Sequence, residues 1–491
     1  MIEIVFRRLA IVFYVFLTML YGTWRIAFTL STEHIVASVL FLFVEMMTCF
    51  LAILFIVIFW RKPRPQQSTG TSNIFSIDVL VPSYNEDVKM LEKTLKQCVD
   101  MDYPHKTWLL DDGNRTEMQS LAARLEIGYI TREQNTEAKA GNLNNALQYI
   151  DGELIAVFDA DFCPEKTFLS KLAGYFADEK VAVAQVPQSY YNITESFQHR
   201  RLFDNKIYSD QDTFMHLILP ARNNWNSAYW IGTNTLLRRK AIDSIGGFST
   251  GCVTEDVLTS MFIHSKGWKI VYVDEPLAYG RAPVNITEYV VQRLRWAKGA
   301  FQILRLHNPL LKGGLSFMQR LSYFSSVSHF FEGIAKIVFY LFPSFYFLFG
   351  IVPIHPYPPN IIGMLIYFVT TRLILELITK GHTNLLMDEV YAVLRSFIYL
   401  MALPALVLSK HIRFKVTPKD GETPIMLQGI IGPAIILVLN LAVIIMAVIN
   451  PGIVASLGIF GWICFGWCLY IGAIAFTACY YCFKPLINKH K

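Results

Sequence analysis

The sequence predicts an α/β domain inserted between transmembrane α-helices, with about six membrane spans plus interfacial helices. Three observations carry that prediction. Of the 491 residues, 53% are hydrophobic, and the excess lies at the two ends of the chain, in runs long enough to cross hydrocarbon as helices. Between residues 77 and 186, short strand-like runs alternate with helix-length ones. Carboxylates recur where the strand-like runs stop. In Leu154 to Pro164, L-I-A-V-F-D-A-D-F-C-P, an apolar run ends in Asp159 and Asp161.

The first apolar run covers Met1 to Leu30 and the second Ile35 to Trp60, so residues 1–62 form two spans. Arg7, Arg8 and the Arg61-Lys62-Pro63-Arg64 flank place the N-terminus and residue 61 onward in the cytoplasm. The first run has no small-residue cleavage site and reads as a retained span. Glu45, inside the second run, is costly in lipid and should face protein or water. A polar Ser/Thr/Gly linker leads to a cytoplasmic domain over residues 74–300.

In that domain, strands are expected at Ile77–Pro82, Thr107–Leu110, Gly128–Thr131, Leu154–Phe158 and Val181–Val186. Helices are expected at Val88–Val99, Thr116–Leu125, Ala138–Ile150 and near Lys166–Phe176. The alternation implies a mostly parallel sheet wrapped by helices. A less regular half follows from Asn192, with one strand-like run at Thr235–Leu237 and a helix near Glu255–His264.

Residues 301–320 set leucines against Arg305, Lys312 and Arg320, the pattern of an interfacial helix. Two spans follow within 321–380. In 384–427, Arg395 and Pro404 interrupt an apolar run, and the basic residues beyond it favour an interfacial helix over a span. Residues 428–491 hold two more spans and a Lys-bearing cytoplasmic tail. The protein should therefore be a multi-pass protein of the plasma membrane, with the inserted domain and both termini cytoplasmic. The net charge of +6 is spread beside the apolar runs, which argues against nucleic acid as a partner. The eight cysteines form no ligand set with His and no disulfide framework.

Six clusters in the inserted domain carry chemistry. V-P-S-Y-N-E, with Tyr84 and Glu86, ends the first strand, and Asp111-Asp112-Gly113 ends the second. Lys139-Ala140-Gly141-Asn142 opens a helix, where a cation and free N–H groups suit phosphate. Asp159 and Asp161 offer hard oxygen ligands for Mg²⁺ or Mn²⁺ at the sheet edge, where α/β proteins bind ligands. Thr254-Glu255-Asp256 and Gln292-Arg293-Leu294-Arg295-Trp296 lie in the less regular half. Singly, Asp-Asp-Gly is an ordinary turn and Thr-Glu-Asp an ordinary helix start. Their order along one α/β segment sets them apart.

That order resembles the processive family-2 glycosyltransferases: cellulose, curdlan, chitin and hyaluronan synthases. Phe414-Lys415-Val416-Thr417-Pro418-Lys419 further resembles the F-x-V-T-x-K gating loop of bacterial cellulose synthases. The resemblance implies a GT-A fold and a UDP-sugar donor. It implies that Tyr84 stacks on uracil, with Glu86 alongside, that Asp111 or Asp112 binds uridine, and that Lys139 contacts the diphosphate. Asp161 would ligate the metal, with Asp159 beside the donor, and Asp256, next to Glu255, would be the general base. Gln292, Arg293, Arg295 and Trp296 would hold pyrophosphate and acceptor, and Phe414, Val416, Thr417 and Lys419 would close over the nucleotide. One base and a metal-assisted leaving group give a single inverting displacement.

Two departures bear on the product. Where cellulose synthases carry an F-F-C-G-S-like stretch at the acceptor, this chain reads Tyr229-Trp230-Ile231-Gly232-Thr233, making Trp230, Ile231 and Gly232 the expected acceptor floor. The short tail also leads us to expect no PilZ domain. The leading expectation is a β-glucan synthase that takes UDP-glucose and moves a growing polysaccharide across the bilayer, with 1,4, 1,3, mixed or branched linkage left open. Alternatives are a chitin- or hyaluronan-type synthase using UDP-N-acetylglucosamine, a non-processive glycolipid glucosyltransferase, and a non-catalytic transporter subunit. The intact acidic and Trp296 motifs argue against the last.

Overall fold

The computed structural model describes residues 2–61, 74–201, 206–355, 357–379, 382–408 and 427–489. The chain opens with helices α1 (Ile2–Phe28) and α2 (Ile35–Val57), joined by a short turn. Glu45 of α2 does face protein. It pairs with Arg25 of α1 at 2.8 Å and accepts the Tyr21 hydroxyl, so each buried charge has a partner.

The inserted domain then unrolls as β1 (Ile77–Ser83), α3 (Val88–Val99), β2 (Lys106–Asp111), α4 (Thr116–Arg124), β3 (Gly128–Ile130), α5 (Ala138–Ala146) and β4 (Leu154–Val157). It continues with β5 (Cys163–Pro164), α6 (Phe168–Ala173), β6 (Val181–Gln185), β7 (Ser189–Tyr190), β8 (His199–Arg201), β9 (Ile207–Ser209), α7 (Leu219–Asn223), β10 (Thr235–Arg238) and α8 (Arg239–Asp243). It closes with α9 (Glu255–Ser265), β11 (Lys269–Tyr272), β12 (Ala278–Gly280) and α10 (Ile286–Leu306). The expected strands and helices stand where periodicity placed them, except that α5 stops at Ala146, short of Ile150. The half beyond Asn192 is more ordered than expected, with β8, β9, β11 and β12 beside β10. These strands are only three or four residues long, too short to show a pattern.

Seven strands form one sheet in the order β11-β6-β10-β4-β1-β2-β3. β3, β2, β1 and β4 run parallel, as do β6 and β11, while β10 is antiparallel to both of its neighbours. The reversal positions the site. The C-terminal ends of β1, β2 and β4 share one edge, since Ser83 pairs with Asp111 and Leu80 with Val157. The antiparallel β10 begins at that edge, with Thr235 opposite Val157, and brings residues 232–234 beside Asp159. Apolar cores cover both faces of the sheet.

Beyond the domain lie α11 (Phe317–Ser328), α12 (Glu332–Phe349), α13 (Pro358–Thr379), α14 (Leu385–Ala402), α15 (Gln428–Ile449), α16 (Gly452–Ser456) and α17 (Gly458–Lys489). One expectation is corrected here. Residues 301–320 are not one interfacial helix. α10 runs on to Leu306, a turn containing Pro309 and Gly314 (φ +80°) intervenes, and α11 starts afresh with a capping box between Ser316 and Gln319. The described residues hold seven helices long and apolar enough to cross a membrane, the six expected spans and the helix expected at the interface. The latter is Leu385–Leu406, and over half of its most apolar stretch is buried against other helices. Arg395, which spoke against a span, pairs with Asp210 of the inserted domain.

All eight cysteines are free, as expected of packing residues.

Candidate active site

Four groups converge at the shared edge of the sheet. The Lys139 ammonium pairs with the Asp159 carboxylate and donates to the Gly232 carbonyl at 2.6 Å. Gly232 sits at φ +92°, and a Cβ built on it would lie 3.1 Å from Asp256 Oδ2 and 4.0 Å from Lys139 Nζ. Lys139, Asp159, the residue-232 carbonyl and Asp256 thus share one small space. A side chain at 232 would enter it, and only glycine adopts this backbone without strain.

Each group is delivered by a local device. Lys139 follows two left-handed residues, Glu137 (φ 59°) and Ala138 (φ 44°), which turn the chain sharply into α5. Within the same K-A-G-N motif, a Cβ on Gly141 would strike the Thr136 carbonyl and Arg132. Asn142 is buried and donates to the Leu110 carbonyl at 3.0 Å, locking α5 to β2. Asp159 is held by its backbone N–H, which donates to Thr233 Oγ1 at 2.8 Å. The 231–234 loop is pinned from below by the fully buried Gln185. Gln185 accepts from the Ile231 N–H at 3.1 Å and donates to the Thr233 carbonyl at 2.8 Å.

Asp256 stands in the first turn of α9, where its Oδ1 accepts the Val257 N–H at 2.8 Å. Burial first, and then the neighbouring Glu255, push its carboxyl up to about 7. Glu255 is itself buried and raised, opposed chiefly by Lys139 and also by Arg295. A carboxyl near neutrality in a cleft is suited to accept a proton. The start of α9 lies tight under α10, because a Cβ on Gly299 would fall inside the Thr254 side chain.

A cleft of about 720 Å³ opens at the C-terminal ends of β1 and β2, lined by Tyr84, Glu86, Asp112, Gly113 and Arg115 among others. Tyr84 is 46% exposed at its rim. Glu86 accepts from Ser83 Oγ at 2.9 Å and from the Tyr84 N–H at 2.7 Å, fixing the turn that presents the ring. Asp112 lines the cleft but is gripped by Arg132 through two bonds, of 2.6 and 2.7 Å.

The structure separates several expected site residues from the cleft. Asp111 is fully buried and accepts from the Gly113 and Arg115 N–H groups, the Arg115 guanidinium and the Tyr129 hydroxyl. Its carboxylate organises the loop, and of the two aspartates it is Asp112 that faces the cleft. Trp230 is a core residue, fully buried against Phe248, so the acceptor floor does not include its ring. The resemblance of this stretch to the acceptor segment of cellulose synthases put Trp230 at the acceptor, but the residue falls on the inward side of the loop. Ile231 is half-buried and Gly232 faces the site. Arg293 is buried in an ion pair with Asp210 at 2.7 Å. One helical turn on, its guanidinium stacks over the Trp296 ring at 4.4 Å. Gln292 keeps a buried Oε1 with no hydrogen-bond partner among the described residues. Phe414, Val416, Thr417 and Lys419 lie outside the described residues.

Arg115, Arg132, Gln185 and Gly299 were missed by sequence reasoning. Only Gly299 left a trace, as a glycine inside a strongly helical stretch.

Asp161 is buried beside the half-exposed Asp159, and no group of three or more His, Cys, Asp or Glu gathers among the described residues. Two adjacent carboxylates fit a hard divalent cation that takes its other ligands from substrate oxygens and water.

Residues 78–246 match the model for Glycosyl transferase family 2, and residues 205–389 match that for Cellulose synthase. The chain is 38% identical over 293 residues to Cellulose synthase 2 of Novacetimonas hansenii, covering 59% of this chain and 18% of that protein. It is 33% identical over 368 residues to the cellulose synthase catalytic subunit (UDP-forming) of Pseudomonas fluorescens strain SBW25, covering 74% of this chain and 49% of that protein. The chain thus spans half or less of the length of these curated relatives. Among solved structures, a mannosyltransferase of Pyrobaculum calidifontis in complex with GDP-Man and Mn²⁺ is similar at a TM-score of 0.46 and 16% identity, over 67% of this chain and 96% of that one.

Proposed function

We propose that this chain, whose residues 78–246 match the model for Glycosyl transferase family 2 and residues 205–389 that for Cellulose synthase, is a processive, inverting membrane glycosyltransferase. It polymerises glucose from UDP-glucose into a β-glucan and passes the product across the plasma membrane. The observation that carries this reading is the convergence of Lys139, Asp159, the Gly232 carbonyl and Asp256 at one sheet edge. That edge belongs to a domain flanked by helices long and apolar enough to span a membrane.

In this reading Tyr84 and Asp112 receive the nucleoside, and Lys139 and Arg295 face the diphosphate. Asp161 and Asp159 would hold Mg²⁺ or Mn²⁺, which supplies positive charge at the leaving diphosphate. Asp256 takes the proton of the attacking acceptor hydroxyl. As the new C–O bond forms at the anomeric carbon, the bond to the diphosphate breaks and its electron pair leaves on UDP. A single displacement inverts an α-linked donor to a β-linkage. Lys139 is paired with Asp159 before donor arrives, so a phosphate and a cation can each take one member of that pair without leaving a charge unopposed. The half-buried Trp296 takes the acceptor sugar, its ring backed by Arg293. Catalysis is placed on the cytoplasmic side, with the glucan leaving between the membrane helices.

The test is to give the purified protein in lipid each UDP-sugar separately and digest any polymer with linkage-specific glucanases. Glucan from UDP-glucose alone supports the reading and fixes the linkage. Polymer from UDP-N-acetylglucosamine, or a short lipid-extractable glucoside, overturns it.

A further inference from the structure

Asp210 lies just past β9, away from the strand ends where the donor groups collect. It is nonetheless enclosed, with its side chain 1% exposed. One oxygen accepts from Arg293 Nη2 at 2.7 Å and from the Tyr289 hydroxyl at 2.7 Å, both on α10. The other accepts from Arg395 of α14. Arg293 and Arg395 are 5% and 18% exposed, so a single carboxylate separates two largely buried guanidinium groups from different helices. The strands around Asp210 are fastened to α14 as well. Tyr208 donates to Asp388 at 2.9 Å, and the Tyr391 hydroxyl donates to the Phe197 carbonyl.

The consequence reaches Trp296. The Arg293 guanidinium carbon lies 4.4 Å over the Trp296 ring and 4.9 Å over Tyr289, so it covers one face of the indole from the position Asp210 assigns to it. Without Asp210, two like charges face each other in a dry site and Arg293 must turn. Without Arg395, Asp210 is free to follow α10 and the link to α14 is lost.

We propose that Asp210 and Arg395 are positioning residues of the acceptor platform: they hold Arg293 against Trp296, so that the apolar helix α14 sets the plane on which the acceptor sugar rests. This rests on the reading that Trp296 receives the acceptor. It makes productive placement of the growing chain, rather than donor binding, depend on a helix of the membrane-associated region.

The test uses the full chain in lipid nanodiscs with Asp210→Asn, Arg395→Gln, Arg395→Lys and the Asp210→Asn/Arg395→Gln double variant. Donor KM, kcat, UDP affinity and product length are read separately. In Asp210→Asn and Arg395→Gln, kcat should fall about tenfold and chains should shorten, while donor KM and UDP affinity stay within about twofold. Arg395→Lys should restore most of the length, and the double variant should be no worse than the poorer single one. Wild-type length and kcat in the single variants, equal losses in UDP affinity, or additive losses in the double variant would each overturn the proposal. If Asp210→Asn does not assemble, the two Arg395 variants, which keep the Asp210–Arg293 pair, decide the matter alone. Absence of polymer from the unmodified protein with any UDP-sugar would instead remove the proposed function itself.

Discussion

The proposed donor side and the proposed acceptor side of the site are built by different means. Tyr84, Asp112 and Asp159 stand where parallel strands stop, and Lys139 opens the helix after β3. Their placement follows from the sheet, and any chain that forms β1, β2 and β4 delivers them to one edge. Gly232, Asp256 and Trp296 arrive by a loop, a helix start and the middle of a helix. Nothing regular brings these together. They are held by the antiparallel insertion of β10, by Gln185 under the loop, and by the close crossing of α9 and α10 at Gly299. The difference implies that the donor half tolerates change at its edges, whereas the acceptor half depends on a few tight contacts.

The largest effect should come from removing the acceptor-side base. Asp256→Asn is isosteric and should cost ~10²–10⁴-fold in polymer formation while UDP binding survives. Wild-type turnover in this variant would end the base assignment. The same group sets a pH dependence. With its carboxyl near 7, Asp256 must lose a proton to act, so initial rates should rise about tenfold from pH 6 to pH 8. The fold bears the converse. A carboxyl raised from 3.8 to about 7 binds its proton more tightly folded than unfolded. Its ionisation therefore removes stability as pH climbs through that window, and the loss levels off above it.

Next in size is Gly299→Ala. The added methyl collides with the Thr254 side chain, so α10 must shift from the start of α9. A cost of about 1–3 kcal/mol in stability is expected from overpacking. Separating Asp256 from Trp296 by a fraction of an ångström should cost up to ~10²-fold in kcat. If thermal unfolding and kcat both match the parent protein, the acceptor half is looser than the contact implies.

The donor side should give way more gently. Arg132→Ala releases Asp112 from two charge-assisted bonds, together worth about 1.5–3 kcal/mol. Donor KM should rise about tenfold, with kcat nearly intact. A fall in kcat with no change in KM would place Arg132 on the other side of the comparison.

The same contrast explains what could be read from sequence. Strand-end aspartates announce themselves because an apolar run of four or five residues stops at a carboxylate, as at Val157-Phe158-Asp159. The helix start at Thr254-Glu255-Asp256 is visible for a similar reason. What holds them is not. Gln185 is a lone polar residue at the end of a short strand and Asp210 one of several polar residues just past another, and the partners that tie them to the site lie 46 or more residues away. No local period encodes such a pairing. Trp230 and Trp296 look alike in sequence, as aromatic rings in motif runs. Only the direction of a loop separates a core indole from a platform one. The partner of Arg395 is hidden for the same reason. Arg395 reads as a charge too costly to bury until Asp210, distant in sequence, is set against it.

The smallest effect is expected at Tyr84, where the comparison can be sharpened most cheaply. The ring stands at the rim of the cleft, 46% exposed, on a turn fixed by Glu86 and Arg115 rather than by its own contacts. Base stacking on an aromatic ring is worth about 1–3 kcal/mol, and a half-exposed ring should fall at the low end of that range. Tyr84→Ala should therefore raise donor KM about fivefold and weaken UDP by the same factor, leaving kcat and product length alone. Tyr84→Phe should change neither, because the face and not the hydroxyl is used. Shortened product in Tyr84→Ala would mean that the donor edge also sets the acceptor, and that the two halves of the site do not act separately.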